Sequence, residues 1–336
     1  MTTLEPGSSP DRVRRRRRSG YLAAAVGLVL TGSLVTAVGA GAAPIPLTLG
    51  VASEAATGPA DFAAAAGVHA AIQGWYESWA GDTPFDTARA DAARTSGALP
   101  MLTWEPWTPG AGVDQPDYAL ARIAAGDHDA YITAFAQQVH NWGGVLALRF
   151  AHELDAPTYP WGAGVNGNTA ADAVAAWRHV HDLFLAAGAD VVWVWCVNVH
   201  EPGASAYAPL YPGDDVVDWI ALDGYNGGTG LPWGGWRTPL EIFGTSLDDL
   251  QALSDKPAVI TEVGASEQGG DKSTWIHGLF AFVTERRVRG LVWFDVAKEA
   301  DWRIDSSPAA AAAFRAEALV PGRLGPPPIP HRFAGF

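Results

Sequence analysis

The chain has 336 residues, a single cysteine and a formal charge of −14. That length accommodates one large α/β barrel or two ordinary domains, either with a substantial core. A lone cysteine excludes a disulfide scaffold and a cysteine-ligated zinc site. The negative balance argues against nucleic acid, whose phosphates need a basic stripe on their partner.

The charge is unevenly divided. Residues 1–43 hold six arginines (Arg12 and Arg14 to Arg18) against Glu5 and Asp11, so residues 44–336 carry −18. After the arginine run comes an uncharged stretch over 21–43, rich in Ala, Val, Leu and Gly and ending Ala40-Gly41-Ala42-Ala43. A basic start, an apolar core and small residues before a cleavage point predict a secretory signal peptide over 1–43. An uncleaved membrane anchor is the alternative, because the apolar stretch is long. Both place the rest of the chain outside the membrane, secreted or held at its outer face.

From residue 44 onward, short apolar runs alternate with amphipathic segments. Strands are expected at 46–51, 69–72, 99–103, 145–150, 191–197, 216–222, 258–261 and 291–294. Continuous apolar strands are what a buried parallel sheet requires. Between them, Ile132, Phe135, Val139 and Trp142 recur at helical spacing, and Gly143-Gly144 ends that helix. Thr169 with Asp172 predicts a capping box ahead of Trp177, Val180 and Phe184, with Gly188 as the stop. Thr238-Pro239 with Glu241 opens another helix, and Ile276, Leu279, Phe280 and Val283 mark the one before the last strand. The pattern predicts a single (β/α)8 TIM barrel over 44–322. A doubly wound sheet would require a glycine-rich phosphate turn after its first strand, and Gly50-Val51-Ala52-Ser53 offers none. Residues 323–336 form a proline-rich tail, expected to lie along the surface.

Functional groups of such a barrel sit just past the strands. Reading those positions gives Trp104-Glu105-Pro106-Trp107, His152-Glu153, Asn198, Asp223-Gly224-Tyr225-Asn226, Thr261-Glu262 and Trp293-Phe294-Asp295. Glutamates on strands four and seven would face each other across the barrel mouth. Hydrolysis of a glycosidic bond needs such a pair: one carboxylic acid protonates the leaving oxygen, and the other carboxylate attacks the sugar or activates water. The competing reading is a strand-end carboxylate paired with an arginine such as Arg149. Glu105 reads equally well as a structural group or a substrate contact. No metal cluster is evident, and no cofactor is expected.

The tryptophans divide by position. Trp142, Trp177 and Trp275 fall at helical spacing, and Trp193 and Trp195 alternate within a strand, so all five predict packing. Trp104, Trp107, Trp161, Trp233, Trp236 and Trp293 lie at strand ends or in loops and are expected to line a cleft, where indole faces stack on sugar rings. Cys196 reads as an inert buried thiol.

Arg149-Phe150-Ala151-His152-Glu153 followed by Tyr159-Pro160-Trp161-Gly162 resembles the acid/base segment of glycoside hydrolase family 26. Ile260-Thr261-Glu262-Val263-Gly264 resembles its nucleophile strand, and Val217-Asp218-Trp219-Ile220 with Asp223-Gly224-Tyr225-Asn226 resembles the segment whose Tyr bonds the nucleophile. The resemblance covers about residues 47–314. It implies Glu153 as general acid/base, Glu262 as nucleophile and Tyr225 as the donor that holds Glu262 ionised. It also implies His152 against the sugar, biasing the protonation of Glu153, with Trp104, Trp161 and Trp293 as walls of the sugar sites; Asn198 joins the substrate-binding set. Members are mostly endo-β-mannanases, with β-1,3-1,4-glucanases and β-1,3-xylanases as minorities. The expectation is therefore a secreted, monomeric, retaining hydrolase of internal β-linkages in a polysaccharide, with β-1,4-mannan first. Leu154-Asp155-Ala156 departs from the Met-Asn-Gly usual in the mannanases, which leaves the choice among mannan, glucan and xylan open. A non-catalytic carbohydrate-binding barrel is the rival from another class.

Overall fold

Buried apolar strands joined by right-handed crossovers have one way to leave no sheet edge, and the computed structural model shows it. It describes residues 45–201 and 204–333, so the leader expected over 1–43 lies outside them. Eight parallel strands form a closed barrel: β1 (Thr48–Ala52), β2 (Ile72–Ser78), β3 (Leu99–Glu105), β4 (Leu146–Phe150), β5 (Val191–Asn198), β6 (Trp219–Asn226), β7 (Ala258–Ala265) and β8 (Gly290–Phe294). Closure runs from Thr48 opposite Gly290 to Ala52 opposite Phe294. The outer layer holds α1 (Gly58–Ala66), α2 (Thr87–Thr95), α3 (Leu120–Ala124), α4 (Asp129–Trp142), α5 (Ala170–Ala187), α6 (Pro239–Leu253), α7 (Lys272–Glu285) and α8 (Pro308–Ala318). The β3–β4 crossover carries two helices, whereas the β5–β6 crossover is reduced to a 3-10 turn at Ala208–Leu210.

The expected helix signals are present. Thr169 Oγ1 accepts from the Asp172 N–H at 3.2 Å while Asp172 accepts from the Thr169 N–H at 2.9 Å. Thr238 and Glu241 make the same reciprocal pair at 3.3 and 2.7 Å. Helices α4 and α5 stop on Gly143 and Gly188, both left-handed at φ 71° and 73°.

Strand alternation separates two cores. Ala52, Met101, Ala147, Cys196, Ala221 and Val292 fill the barrel, while Val51, Leu102, Leu148, Val197, Leu222 and Leu291 face the helices. The inner layer is tight: a Cβ on Gly50 would lie 2.8 Å from Val292 Cγ2. Two strands are set differently from the expectation. The second begins at Ile72 rather than ending there, and the sixth runs on to Asn226, because polar residues at their cleft ends interrupt the apolar runs.

The tail closes the opposite, N-terminal end of the barrel. Leu324 bridges to Leu47, Pro326 O accepts from Thr48 Oγ1 at 2.7 Å, and Pro328 O accepts from Trp219 Nε1 at 3.0 Å. Arg332 pairs with Asp218 at 2.7 Å, and Phe333 is buried. No helix among the described residues is long and apolar enough to cross a membrane.

Candidate active site

Strand β4 delivers two of the chemical groups. Arg149 points into the barrel and is fully buried. Past the strand, Ala151 and Glu153 take left-handed backbone at φ 45° and 52°. Such a conformation costs an L-residue about 1–2 kcal/mol. It is held because Ala151 N–H donates to Trp104 O at 3.1 Å and Glu153 N–H to Cys196 O at 3.0 Å, one bond to the strand on each side. The turn delivers the Glu153 carboxyl to a cleft of about 760 Å³ at the C-terminal ends of the strands.

Glu262 reaches the same cleft from β7. The β6–β7 register shifts between Leu222 and Asp223, bringing Glu262 opposite Asp223, and a second irregularity lies between Ile260 and Val263 on the β8 side. A bulge lets successive side chains, here Thr261 and Glu262, both serve the interior. Thr261 Oγ1 donates to Asp223 Oδ1 at 2.7 Å. The Glu262 carboxylate is clamped on both oxygens: Tyr76 OH donates to Oε1 at 2.7 Å and Tyr225 OH to Oε2 at 2.5 Å. The Arg149 guanidinium bonds Glu262 through one nitrogen and Asp223 through another, and its Nε donates to Thr103 Oγ1 at 2.9 Å. Asp223 is completed by Cys196 Sγ at 3.1 Å. His152, Asp223 and Glu262 bring ligand atoms within 4.8 Å of one another, but Arg149 already supplies the positive charge there.

These surroundings drive the two glutamates apart in acidity. Burial raises the Glu153 carboxyl well above the usual carboxylate range, and the charges of Asp223 and Glu262 add to it. Burial would raise Glu262 as well, but the Arg149 charge and hydrogen bond, the neighbouring His152 and the Tyr225 hydrogen bond together hold Glu262 below its ordinary value. Burial and the Glu262 charge raise Tyr76 and Tyr225, which therefore remain donors. Burial, then Arg149, pushes His152 down to about 3, so its imidazole is neutral. One cleft thus holds a protonated carboxyl and an ionised carboxylate, a combination able to give a proton on one side and attack on the other.

Of the residues singled out from sequence, Glu153, Glu262, Tyr225 and Asn198 line this cleft together. His152 does not line it. It is 1% exposed, packed against Tyr159 at 4.7 Å, and its Nδ1 has no hydrogen-bond partner. Trp104, Trp161 and Trp293 are corrected outright: all three are fully buried and form no wall. Trp104 and Trp293 alternate outward toward the helices, Trp104 against Phe135 at 4.5 Å and Trp293 against Phe314 at 5.3 Å. Trp161 lies beneath Tyr159, stacked at 4.5 Å, with its N–H donating to His152 O at 2.6 Å. Trp236 also stays off the cleft and lines a groove beside α6 and α7. The aromatic walls are Trp107, Trp233, Tyr76, Tyr159 and Phe294. Tyr76 went unread because strand two was expected to end at Ile72; extended by alternation, it puts Ile72, Gly74 and Tyr76 on the inner face.

Endoglucanase H of Acetivibrio thermocellus is 38% identical over 256 residues, spanning 74% of this chain and 27% of that protein. Mannan endo-1,4-beta-mannosidase A and B of Caldalkalibacillus mannanilyticus is 32% identical over 136 residues, 39% of this chain and 24% of its own. Beta-1,3-xylanase TXYA of a Vibrio species is 28% identical over 204 residues, 55% of this chain and 42% of its own. The chain therefore spans less than half the length of these relatives. No protein-family model matches it. Among solved structures, a GH26 β-mannanase from Bacteroides ovatus superposes with a TM-score of 0.63 at 16% identity, over 82% of this chain and 89% of that one. A Cellulomonas fimi endo-β-1,4-mannanase double mutant gives 0.61 at 16%, over 82% and 71%. At that identity the two structures speak for the shared barrel, while the kinship with Endoglucanase H carries the sequence. In sequence the chain is thus similar to these polysaccharide hydrolases, and in fold to solved structures that include a GH26 β-mannanase.

Proposed function

We propose that the protein is an endo-acting hydrolase of a β-linked polysaccharide, working by double displacement with Glu153 as general acid/base and Glu262 as nucleophile. The observation that carries this is the opposite treatment of two carboxyls in one cleft: Glu153 is buried and forms no ion pair among the described residues, while Glu262 is bonded by Arg149, Tyr76 and Tyr225. The ionised Glu262 attacks the anomeric carbon while the Glu153 proton goes to the departing glycosidic oxygen. Glu153, now a carboxylate, then takes a proton from the water that releases the sugar.

A β-glucan is the preferred backbone. The relative at 38% identity across three quarters of the chain is an endoglucanase, against 32% over a shorter stretch for the mannanase. This moves mannan, first on resemblance alone, to second, and Leu154-Asp155-Ala156 is in keeping with the change. The arginine-rich leader supports export, which sequencing the mature N-terminus tests. Reducing-end release from lichenan, mannan and β-1,3-xylan measured side by side tests the substrate. Release from lichenan fastest is expected, and release from none of the three refutes the reading. Glu153→Ala and Glu262→Ala should abolish release, with oligosaccharide affinity kept in Glu262→Ala; a binding protein would be indifferent to both.

A further inference from the structure

Of the carboxyls lining the cleft that the displacement chemistry does not use, Glu105 is the buried one, whereas Glu54, Glu201 and Glu299 are exposed. Glu105 is the last residue of β3 and shares the inward face with Met101 and Thr103. It is 9% exposed, and it lines the cleft alongside Glu153 and Glu262. Its Oε2 accepts from Trp107 Nε1 at 3.2 Å, which fixes the carboxylate's orientation. Its Oε1 has no hydrogen-bond partner; the nearest group recorded is His152 Nδ1 at 4.0 Å, beyond bonding range. No lysine or arginine among the described residues forms an ion pair with it, so the structural reading of a strand-end salt bridge finds no support. A carboxylate offers about four acceptor positions, and one is occupied.

We propose that Glu105 is a substrate-binding residue, its free Oε1 accepting a hydrogen bond from a hydroxyl of the sugar that lies beside Trp107. The proposal rests on the reading of this cleft as a β-glycan site. Chemically it is the fit expected of a sugar subsite: an indole at the wall excludes water, and a carboxylate anchored by that indole presents one bare oxygen to a polyol. Burial pushes the Glu105 carboxyl up to about 7 against the Trp107 bond, so a hydroxyl donor supplied by substrate favours its ionised form. Trp107 meets Tyr159 edge-on at 5.5 Å, so the anchor is itself fixed.

The test measures calorimetric affinity for a mixed-linkage gluco-tetrasaccharide in the Glu262→Ala background, where turnover does not interfere. Glu105→Gln turns the free acceptor into a donor and should weaken binding about 10- to 150-fold, the range for hydrogen bonds to charged groups; Glu105→Ala should do the same. Trp107→Phe keeps a ring and removes the donor, and Glu105→Gln must cause a further loss in that background. Equal affinity in Glu105→Gln, or a loss that Trp107→Phe reproduces in full with nothing added by the second change, overturns the proposal. If wild type releases reducing ends while Glu105→Gln binds normally, the Glu105 role alone falls. If there is neither release nor binding, the reading of the cleft falls with it.

Discussion

Tyr76→Phe isolates one hydrogen bond at the reacting carboxylate. The phenol sits 2.7 Å from Glu262 Oε1, and its ring is held edge-on by Phe294 at 6.1 Å, so the variant keeps its packing and loses only the hydroxyl. A hydrogen bond to a charged group contributes about 1.5–3 kcal/mol, which corresponds to a 10- to 150-fold change in an equilibrium or rate. That bond favours the carboxylate over the acid and over the glycosyl ester, so its loss acts in two ways. The acid limb of the rate profile moves to higher pH, by roughly one unit for 1.4 kcal/mol. Glu262 also becomes a poorer leaving group in the second displacement, so kcat falls about 10- to 100-fold. With an aryl glycoside carrying a good leaving group, the first step stays fast; KM then falls with kcat, and a burst of released phenol precedes steady turnover. A Tyr76→Phe enzyme with wild-type kcat and an unmoved acid limb would refute the argument that this phenol holds the charge.

Other outcomes follow from the same geometry. Activity should be bell-shaped in pH, its acid limb set by Glu262 below the ordinary carboxylate value and its alkaline limb by Glu153 well above it. Glu153→Gln should remove the alkaline limb from residual aryl glycoside hydrolysis, and a limb that persists assigns it elsewhere. Lys272 is 1% exposed and donates to Arg303 O and Ser306 Oγ, each at 2.8 Å, knotting the β8–α8 loop. Lys272→Met should cost about 3 kcal/mol in unpaired carbonyls and lower Tm by roughly 5–10 °C; thermal melts decide, and an unchanged Tm contradicts it. Arg332→Ala frees Asp218 at the far end of the barrel; given the exposure of Arg332, a loss of about 1 kcal/mol by urea titration with kcat unchanged is expected. A fall in kcat would show coupling between the two ends.

The barrel was legible because its strands bury both faces and so stand out as apolar runs. Val145 to Phe150 and Val191 to Val197 needed nothing more than hydropathy. The pair Glu153 and Glu262 was legible from position relative to those runs. What escaped was alternation at the strand ends. Trp104 and Glu105 are neighbours in sequence, yet one faces Phe135 in the outer layer and the other faces the cleft. Carrying the inward parity of Thr103 forward by two would have selected Glu105 and rejected Trp104. The same count from Val292 selects Phe294 and rejects Trp293. Tyr76 was hidden because Gln73, Glu77 and Ser78 dilute the hydropathy of β2, although they are the residues of a strand entering a polar cleft. The Arg149–Asp223–Glu262 network joins β4, β6 and β7, and such a contact has no local signature.

The left-handed backbone at Glu153 sets the needs of the fold against those of the reaction. Glycine would occupy φ 52° without penalty and would also spare the interior a buried carboxyl. Glu153→Gly should therefore unfold at a temperature no lower than wild type, and by about 1 kcal/mol the more stable, while Glu153→Ala, which keeps the Cβ, gains less. The chain retains at this position a side chain that its own backbone torsion disfavours. Position 153 is where a screen for thermostability and a screen for turnover would select different amino acids, and the separation of the two would be visible in a melting curve before any polysaccharide is added.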